Sequence, residues 1–118
     1  MQVQAILRDV NMSAQKMREV VRQIQGLSAL HAQAVLAVVS RKSARFVAKT
    51  LKSAIANAED QARTQKVNHF KAENLVVLSA VAGTASTRSR KRFIPKARGS
   101  AGPIIKRTCH IKIVLSDE

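Results

Sequence analysis

Eight basic side chains lie in residues 84–107, and no acidic residue occurs from Asn74 to Ser116. They are Arg88, Arg90, Lys91, Arg92, Lys96, Arg98, Lys106 and Arg107. Arginine makes bidentate contacts with phosphate oxygens, whereas lysine acts on them as a point charge. Like charges at this density repel one another in a compact chain, and a polyanion removes that repulsion. The segment is therefore predicted to bind nucleic acid.

The same segment is unsuited to a helix and too polar to build a core. Its large apolar residues are Phe93, Ile94, Ile104 and Ile105, and its helix-breaking residues are Pro95, Gly99, Gly102 and Pro103. We predict a basic loop or hairpin arm that is mobile over residues 84–103 in the free protein and becomes ordered on binding. Phe93 has two open interpretations: it stacks on a splayed base, or it packs against the opposite arm.

The composition indicates one small, strongly basic domain. The chain has 118 residues, a formal net charge of +14 and an aromatic fraction of 3%. We predict a single domain over residues 1–118, with a globular part in residues 1–82 and 105–118 and an extended hairpin in residues 83–104. No apolar run is long enough to span a membrane and no signal peptide is recognised, so no membrane partner is expected. Cys109 is predicted to be a small buried residue in a reducing cytosol.

The residues that could support catalysis are scattered. His31, His69 and His110 lie in different predicted elements and lack the spacing of metal ligands. Cys109 and His110 are neighbours on a predicted strand, so their side chains point to opposite faces. No glycine-rich phosphate loop is present. We predict that the chain is not an enzyme and has no catalytic residue, metal, cofactor or small-molecule substrate.

The N-terminal half predicts one strand and three helices. Val3, Ala5 and Leu7 alternate as in a strand, and helices are predicted at 14–25, capped by Ser13 and ended by Gly26, and at 29–39, capped by Ser28. The second helix has little polar surface, so it is predicted to be mostly buried. Apolar residues spaced by three and four predict a third helix over 44–62, capped by Ser40 or Ser43.

Basic residues of the third helix lie away from its apolar stripe: Arg41, Lys42, Arg45, Lys49 and Lys52. They occupy the N-terminal half, where cations oppose the helix macrodipole. Two interpretations stay open, a phosphate neighbour and a solvated face.

Two further strands complete the predicted fold. In residues 74–82 the apolar side chains occur at both odd and even positions, which is typical of a strand buried on both faces or at the centre of a sheet. Over residues 104–116, one face carries Cys109, Ile111, Ile113 and Leu115, and the other carries Lys106, Thr108, His110 and Lys112. The predicted fold class is α+β: three helices packed on a small three-stranded antiparallel sheet, with a long extended β-hairpin.

Three stretches of the chain resemble the ribosomal protein L22 family in its bacterial form. They are residues 11–18 (NMSAQKMR), residues 51–59 (LKSAIANAE) and residues 91–99 (KRFIPKARG), the last followed by residues 105–111 (IKRTCHI). The resemblance implies a globular domain bound to large-subunit rRNA near the exit of the polypeptide tunnel. It also implies a hairpin that lines this tunnel. The expected partners are large-subunit rRNA, neighbouring ribosomal proteins and the nascent polypeptide, in a cytoplasmic, ribosome-bound protein.

The resemblance also carries expectations for individual residues. The rRNA contacts it implies are Lys16, Arg18, Lys52, Ser53, Asn57, Lys91, Arg92, Lys96, Arg98, Gly99, Lys106, Arg107, Thr108 and His110. The charge pattern adds Arg88 and Arg90. The hairpin tip near the nascent chain is expected at Lys96, Ala97, Arg98, Gly99, Ser100 and Ala101. We therefore expect a structural rRNA-binding protein of the large ribosomal subunit; the alternative is a basic architectural DNA-binding protein.

Overall fold

The computed structural model describes residues 1–87 and 91–117, so Arg88 and Arg90 lie outside the described residues. In chain order the elements are β1 (Gln2–Val10), α1 (Ala14–Ile24), α2 (Ala29–Val38), α3 (Ser43–Thr64), β2 (Val76–Thr84), β3 (Lys91–Pro95), β4 (Ala101–Ile105) and β5 (Cys109–Ser116). Single 3-10 turns occur at Ala72–Asn74 and Ala97–Gly99. Within the described chain, no helix has the length and apolar character needed to cross a membrane.

β5 is the central strand of a three-stranded antiparallel sheet with the order β1-β5-β2. Its residues Cys109, Ile111, Ile113 and Leu115 are all completely buried, which confirms the predicted alternation. Because β5 pairs on both sides and its apolar face meets the helices, it forms the centre of the core.

The helices cover one face of this sheet. α1 packs on β2, and α3 packs on β1 and β5. Ser13 and Ser28 accept the predicted capping hydrogen bonds, from the backbone N–H of Lys16 at 3.4 Å and of His31 at 3.3 Å. Gly26 has a φ of +80°, the left-handed conformation expected after α1. These elements confirm the predicted α+β fold class.

The predicted cap of α3 is wrong. The N-cap position is Lys42, which makes no side-chain capping hydrogen bond within the described chain. Ser43 is instead the first residue of the helix and is buried. The serine was a reasonable candidate because hydroxyl groups favour N-caps, but packing against the core places its side chain inside.

The predicted burial of α2 is also wrong. Ala29, Ala32 and Leu36 are buried, whereas Leu30 is 53% exposed and Val38 is 84% exposed. α2 packs mainly against α3 and lies beside the 72–74 turn. Within residues 1–87 and 91–117, no further element covers the other side of the helix.

β2 is an edge strand rather than the predicted central strand. The register with β5 shifts between Val77 and Ser79. As a result, Val77 and then Ala80 and Ala82 face the core, while Leu78 is 53% exposed. This bulge explains why the strand is apolar on both parities without being buried on both faces.

The predicted strand over 104–116 is divided between two ladders. In the β3–β4 ladder, Lys91 pairs with Ile105 at one end and Pro95 pairs with Ala101 at the other. β5 starts only at Cys109. The protein is elongated, with extents of 70 × 29 × 16 Å. We call residues 91–107, which comprise the β3–β4 ladder, its turn and the two cations that follow it, the basic hairpin. Its two strands pair with each other and not with the main sheet.

Candidate nucleic-acid interface

Every residue of β3 and of the turn that follows it is exposed. The cations Lys91, Arg92, Lys96 and Arg98 belong to this stretch. Lys106 and Arg107 follow β4 and are exposed as well. The basic hairpin thus presents six described cations to solvent without a carboxylate in its sequence. Such a surface attracts polyanions, and phosphates that neutralise it relieve the repulsion among its cations.

Phe93 lies on the surface of the basic hairpin. It pairs with Pro103 in the ladder and remains 66% exposed, so the opposite arm does not bury the ring. The Nζ of Lys91 lies 5.8 Å from the ring centroid, within the range of a cation–π contact. The geometry leaves one face of the ring available to a nucleotide base, and the stacking role of Phe93 stays a prediction.

The turn of the basic hairpin is built by its own backbone. The N–H of Lys96 donates to the carbonyl of Ser100 at 2.8 Å, and the hydroxyl of Ser100 donates to the carbonyl of Ala97 at 2.7 Å. Arg98 and Gly99 have φ values of +59° and +71°. The structure therefore places the predicted tip residues at the turn.

The stem of Lys96 folds over the returning arm of this turn. A Cβ at Gly102 would lie 2.7 Å from Cε of Lys96, which shows how closely the two residues approach. A glycine at position 102 has no side chain, so it leaves space beside the backbone. In this structure the Lys96 stem already occupies that space, and Ala101 at the start of β4 is exposed.

The predicted contacts before and within β5 differ in accessibility. Thr108, which was predicted on the polar face, is buried at 2% exposure, so its side chain has little surface to offer to RNA. Its carbonyl accepts from the N–H of Ala85 at 3.1 Å, which ties the two arms together where they leave the main sheet. His110 is half-buried, and its Nδ1 accepts from the N–H of Asp9 at 3.1 Å. A neutral His110 therefore carries its proton on Nε2 and can donate it to an oxygen acceptor.

The predicted contacts of the globular part lie on two separate helices. Lys16 and Arg18 are exposed on α1, and Lys52, Ser53 and Asn57 are exposed on α3. Because α1 packs on β2 and α3 packs on β1, the two groups lie toward opposite edges of the sheet. The structure does not bring them into one site.

Two of these residues make contacts within the protein. The Nε of Arg18 donates to the carbonyl of Ala82 on edge strand β2 at 3.0 Å. The Nδ2 of Asn57 donates to the carbonyl of Gln4 on edge strand β1 at 3.2 Å. Gln25 adds a similar contact, from its Nε2 to the carbonyl of Ala80 at 2.9 Å. These side chains satisfy edge carbonyls, a role that the sequence motifs did not reveal.

The open face of the main sheet carries Arg8 and Lys112, which are not among the residues implied as rRNA contacts. Arg8 and Lys112 line a shallow depression of about 600 Å³ together with Ile6, Val81 and His110. Arg8 and Ile6 share a parity on β1, so strict alternation from Val3 to Leu7 would have placed both on this face.

The charges of the described residues are mostly unpaired with carboxylates. Across residues 1–87 and 91–117, the ion pairs are Arg41 with Glu19 and the N-terminal amine of Met1 with Asp117. The hydrogen bond from that amine lowers the pKa of Asp117, and burial raises the pKa of the Cys109 thiol. No group of three metal-ligating side chains occurs in this part of the chain.

Comparison with known proteins decides the family. The family described as Ribosomal protein L22p/L17e matches residues 5–116. The chain belongs to this family. Large ribosomal subunit protein uL22 of Opitutus terrae is 47% identical to it over 117 residues, covering 99% of this chain and 96% of the relative. The proteins of the same name from Akkermansia muciniphila and Latilactobacillus sakei are 42% and 46% identical, covering 100% and 92% of this chain and 98% and 86% of those relatives.

Membership of the L22p/L17e family confirms the resemblance seen in the sequence motifs. The family consists of structural ribosomal proteins, which confirms the prediction that the chain is not an enzyme. The alternative of an architectural DNA-binding protein is not supported.

Proposed function

We propose that this chain is a structural rRNA-binding protein of the large ribosomal subunit, cytoplasmic and ribosome-bound. The observation that carries the proposal is the basic hairpin, a two-stranded ladder whose cations are all exposed. An isolated ladder of this kind is marginal in water, whereas phosphate neutralises its charge and covers its surface. The relatives named as large ribosomal subunit proteins supply the kind of RNA.

The cations divide into contacting and supporting groups in this proposal. Lys91, Arg92, Lys96, Arg98, Lys106 and Arg107 contact phosphates directly, together with Arg88 and Arg90. Arg18 and Asn57 contribute mainly by holding the sheet edges to the helices, because each already donates to an edge carbonyl. Thr108 supports the base of the hairpin through its backbone.

The hairpin also forms part of the wall of the nascent polypeptide tunnel in this proposal, with the globular part near the tunnel exit. An elongated molecule of 70 × 29 × 16 Å has the reach for such an arrangement. The compact turn at 96–100, which contains Ala97, Gly99 and Ser100, suits a narrow space shared with a nascent chain. Neighbouring ribosomal proteins are the remaining partners.

Salt dependence tests the rRNA role. The probe is deproteinised large-subunit rRNA of Opitutus terrae, and the variant is K91A/R92A. The slope of log K against log salt is negative, and each lost phosphate contact reduces its magnitude by about 0.7 to 0.9. For the two lost contacts of K91A/R92A, the magnitude should therefore fall by about 1.4 to 1.8. The control is R63A/K71A, which removes the same charge from exposed positions outside the hairpin. An unchanged slope in K91A/R92A would contradict the role of the hairpin.

Deleting residues 97–100 tests the tunnel role separately. Ribosomes carrying the shortened protein should assemble and show altered pausing on nascent chains in ribosome profiling. The melting temperature of the free protein should change little, since all four residues are exposed. Unchanged pausing in assembled ribosomes would exclude a tunnel contact at the turn while leaving rRNA binding intact.

A further inference from the structure

A cationic groove of about 730 Å³ separates α2 from the N-terminal half of α3. One wall is formed by α2 and the residue after it, with Gln33, Leu36, Ala37 and Val39. The other wall is formed by α3, with Ala44, Arg45, Ala48 and Lys52. Ser40, Arg41 and Lys42 close one end. Of all these residues, only Lys52 was implied as an rRNA contact by the family resemblance. The groove is on the globular part and contains no residue of the basic hairpin.

The rim of the groove is positive and lacks compensating acids. Among the described residues that line it, four are cations and none is acidic. Arg41 pairs with Glu19, but Lys42, Arg45 and Lys52 have no carboxylate partner within residues 1–87 and 91–117. Lys42 to Lys52 covers about 15 Å of helix at 1.5 Å per residue. Lys42 and Arg45 lie at the first turn of α3, where cations oppose the helix macrodipole, and an anion beside them would offset that cost.

The floor of the groove favours a planar apolar group between those charges. Leu36 and Ala44 are buried beneath it, and Ala37 and Ala48 are too small to fill it. Gln33 and Ser40 supply side-chain donors and acceptors at its margin. A paired RNA helix would reach only the rim with its phosphates. An unpaired nucleotide can place its base on the apolar floor and its phosphates on the cations.

We propose that the groove between α2 and α3 binds an unpaired nucleotide of large-subunit rRNA. The base lies against Leu36, Ala37 and Ala48, and the flanking phosphates lie beside Lys42, Arg45 and Lys52. This site rests on the proposed rRNA-binding function and adds to it a second contact, independent of the basic hairpin.

Two variants separate the phosphate contact from the base contact. In R45A/K52A, the magnitude of the slope of log K against log salt for the same Opitutus terrae rRNA should fall by about 1.4, because each single-stranded phosphate contact contributes about 0.7. In A37F, the charge is unchanged and the new ring fills the groove from an exposed helix position. Its affinity should fall about 5-fold or more, because the ring takes the place of the base on the apolar floor, with the slope unchanged.

The outcomes distinguish this proposal from its rivals. An effect of R45A/K52A without an effect of A37F would indicate a paired RNA helix on the rim and overturn the nucleotide site. No effect of either variant would indicate a protein partner or a solvated groove, and would also overturn it. K91A/R92A measured in parallel reports on the proposed function: if it changes binding while the groove variants do not, only the groove proposal fails.

A cross-link gives an answer even if A37F folds poorly. Cys109 is completely buried, so a cysteine introduced as Gln33→Cys can be modified selectively with a benzophenone reagent. Reverse transcription should stop at one position, in an unpaired segment of the rRNA, and this stop should disappear when R45A/K52A is added. Arg63→Cys, on an exposed position at the other end of α3, is the matched control. A stop within a helix, or stops equal to those of the control, would overturn the proposal.

Discussion

The protein contains two antiparallel ladders that differ in what stabilises them. In the β2–β5 ladder, the apolar face of β5 is completely buried beneath helices. In the β3–β4 ladder, Phe93, Ile94, Ile104 and Ile105 are between 40% and 66% exposed. Backbone pairing is present in both, so pairing alone does not define the stable part of the molecule. The first ladder depends on its own core, and the second depends on a partner.

Hydrogen exchange should show the largest difference between the ladders. Amides of Ile111 and Ile113 in β5 should exchange only through global unfolding, typically about 5 to 15 kcal/mol above the native state. Amides in β3 and β4 should open at a cost of about 1 kcal/mol or less in the free protein. Comparable protection in the two ladders, measured by NMR without RNA, would show that the hairpin is stable by itself.

Truncating one apolar residue in each ladder should give the next largest contrast. Ile113→Ala removes a completely buried side chain and should lower the free energy of unfolding by about 2 to 5 kcal/mol. Phe93→Ala should change it by less than about 0.5 kcal/mol, because the ring is 66% exposed. Urea unfolding followed by circular dichroism measures both. A cost above about 1 kcal/mol for Phe93→Ala would mean that the hairpin contributes to the core.

Two glycines with similar backbone conformations provide a finer comparison. Gly26 and Gly99 have φ values of +80° and +71°, and a Cβ at either would meet no atom within 4 Å. Gly26→Ala should therefore cost about 1 kcal/mol of global stability, from backbone strain alone. Gly99→Ala carries the same local strain but should leave the urea midpoint unchanged and shift only hairpin resonances. Equal losses of stability would place the turn inside the cooperative unit.

The smallest expected effect concerns the end of β5. The N-terminal amine of Met1 donates to Asp117 at 2.8 Å and lowers the pKa of that carboxyl below its ordinary value of 3.8. This contact stabilises the folded state above that value and is lost as the pH falls through the lower folded pKa. Asp117→Asn should slightly lower the Tm at pH 7, and the two proteins should converge in stronger acid. The same Tm difference at both pH values would exclude this linkage.

The sequence predicted the interior of the fold better than its surface. The alternation of β5 and the caps at Ser13 and Ser28 are local patterns, and the structure confirms them. The place of β2 in the sheet depends on which strand pairs on both sides, and a bulge between Val77 and Ser79 altered its parity. Burial of α2 failed for a related reason: its apolar composition does not say whether another element is available to cover it.

The candidate interface shows the same division. The cations of the basic hairpin are recognisable from the acid-free run, because charge requires no knowledge of pairing. The hydrogen bonds of Arg18 and Asn57 to edge carbonyls required the packing of α1 and α3 to be known. A motif residue can therefore be informative about a family and still act mainly within the protein. The alternation of β1 gives the side of the strand on which Arg8 lies, but it does not show that this face of the sheet stays open.

The side chains that reach the sheet edges have a consequence for the life of the protein before it meets RNA. An uncovered edge strand offers free carbonyls to other chains and promotes aggregation. Arg18, Gln25 and Asn57 occupy carbonyls on both outer strands of the main sheet. These contacts leave fewer edge carbonyls for a second chain to pair with in molecules whose basic surface is not yet covered by RNA.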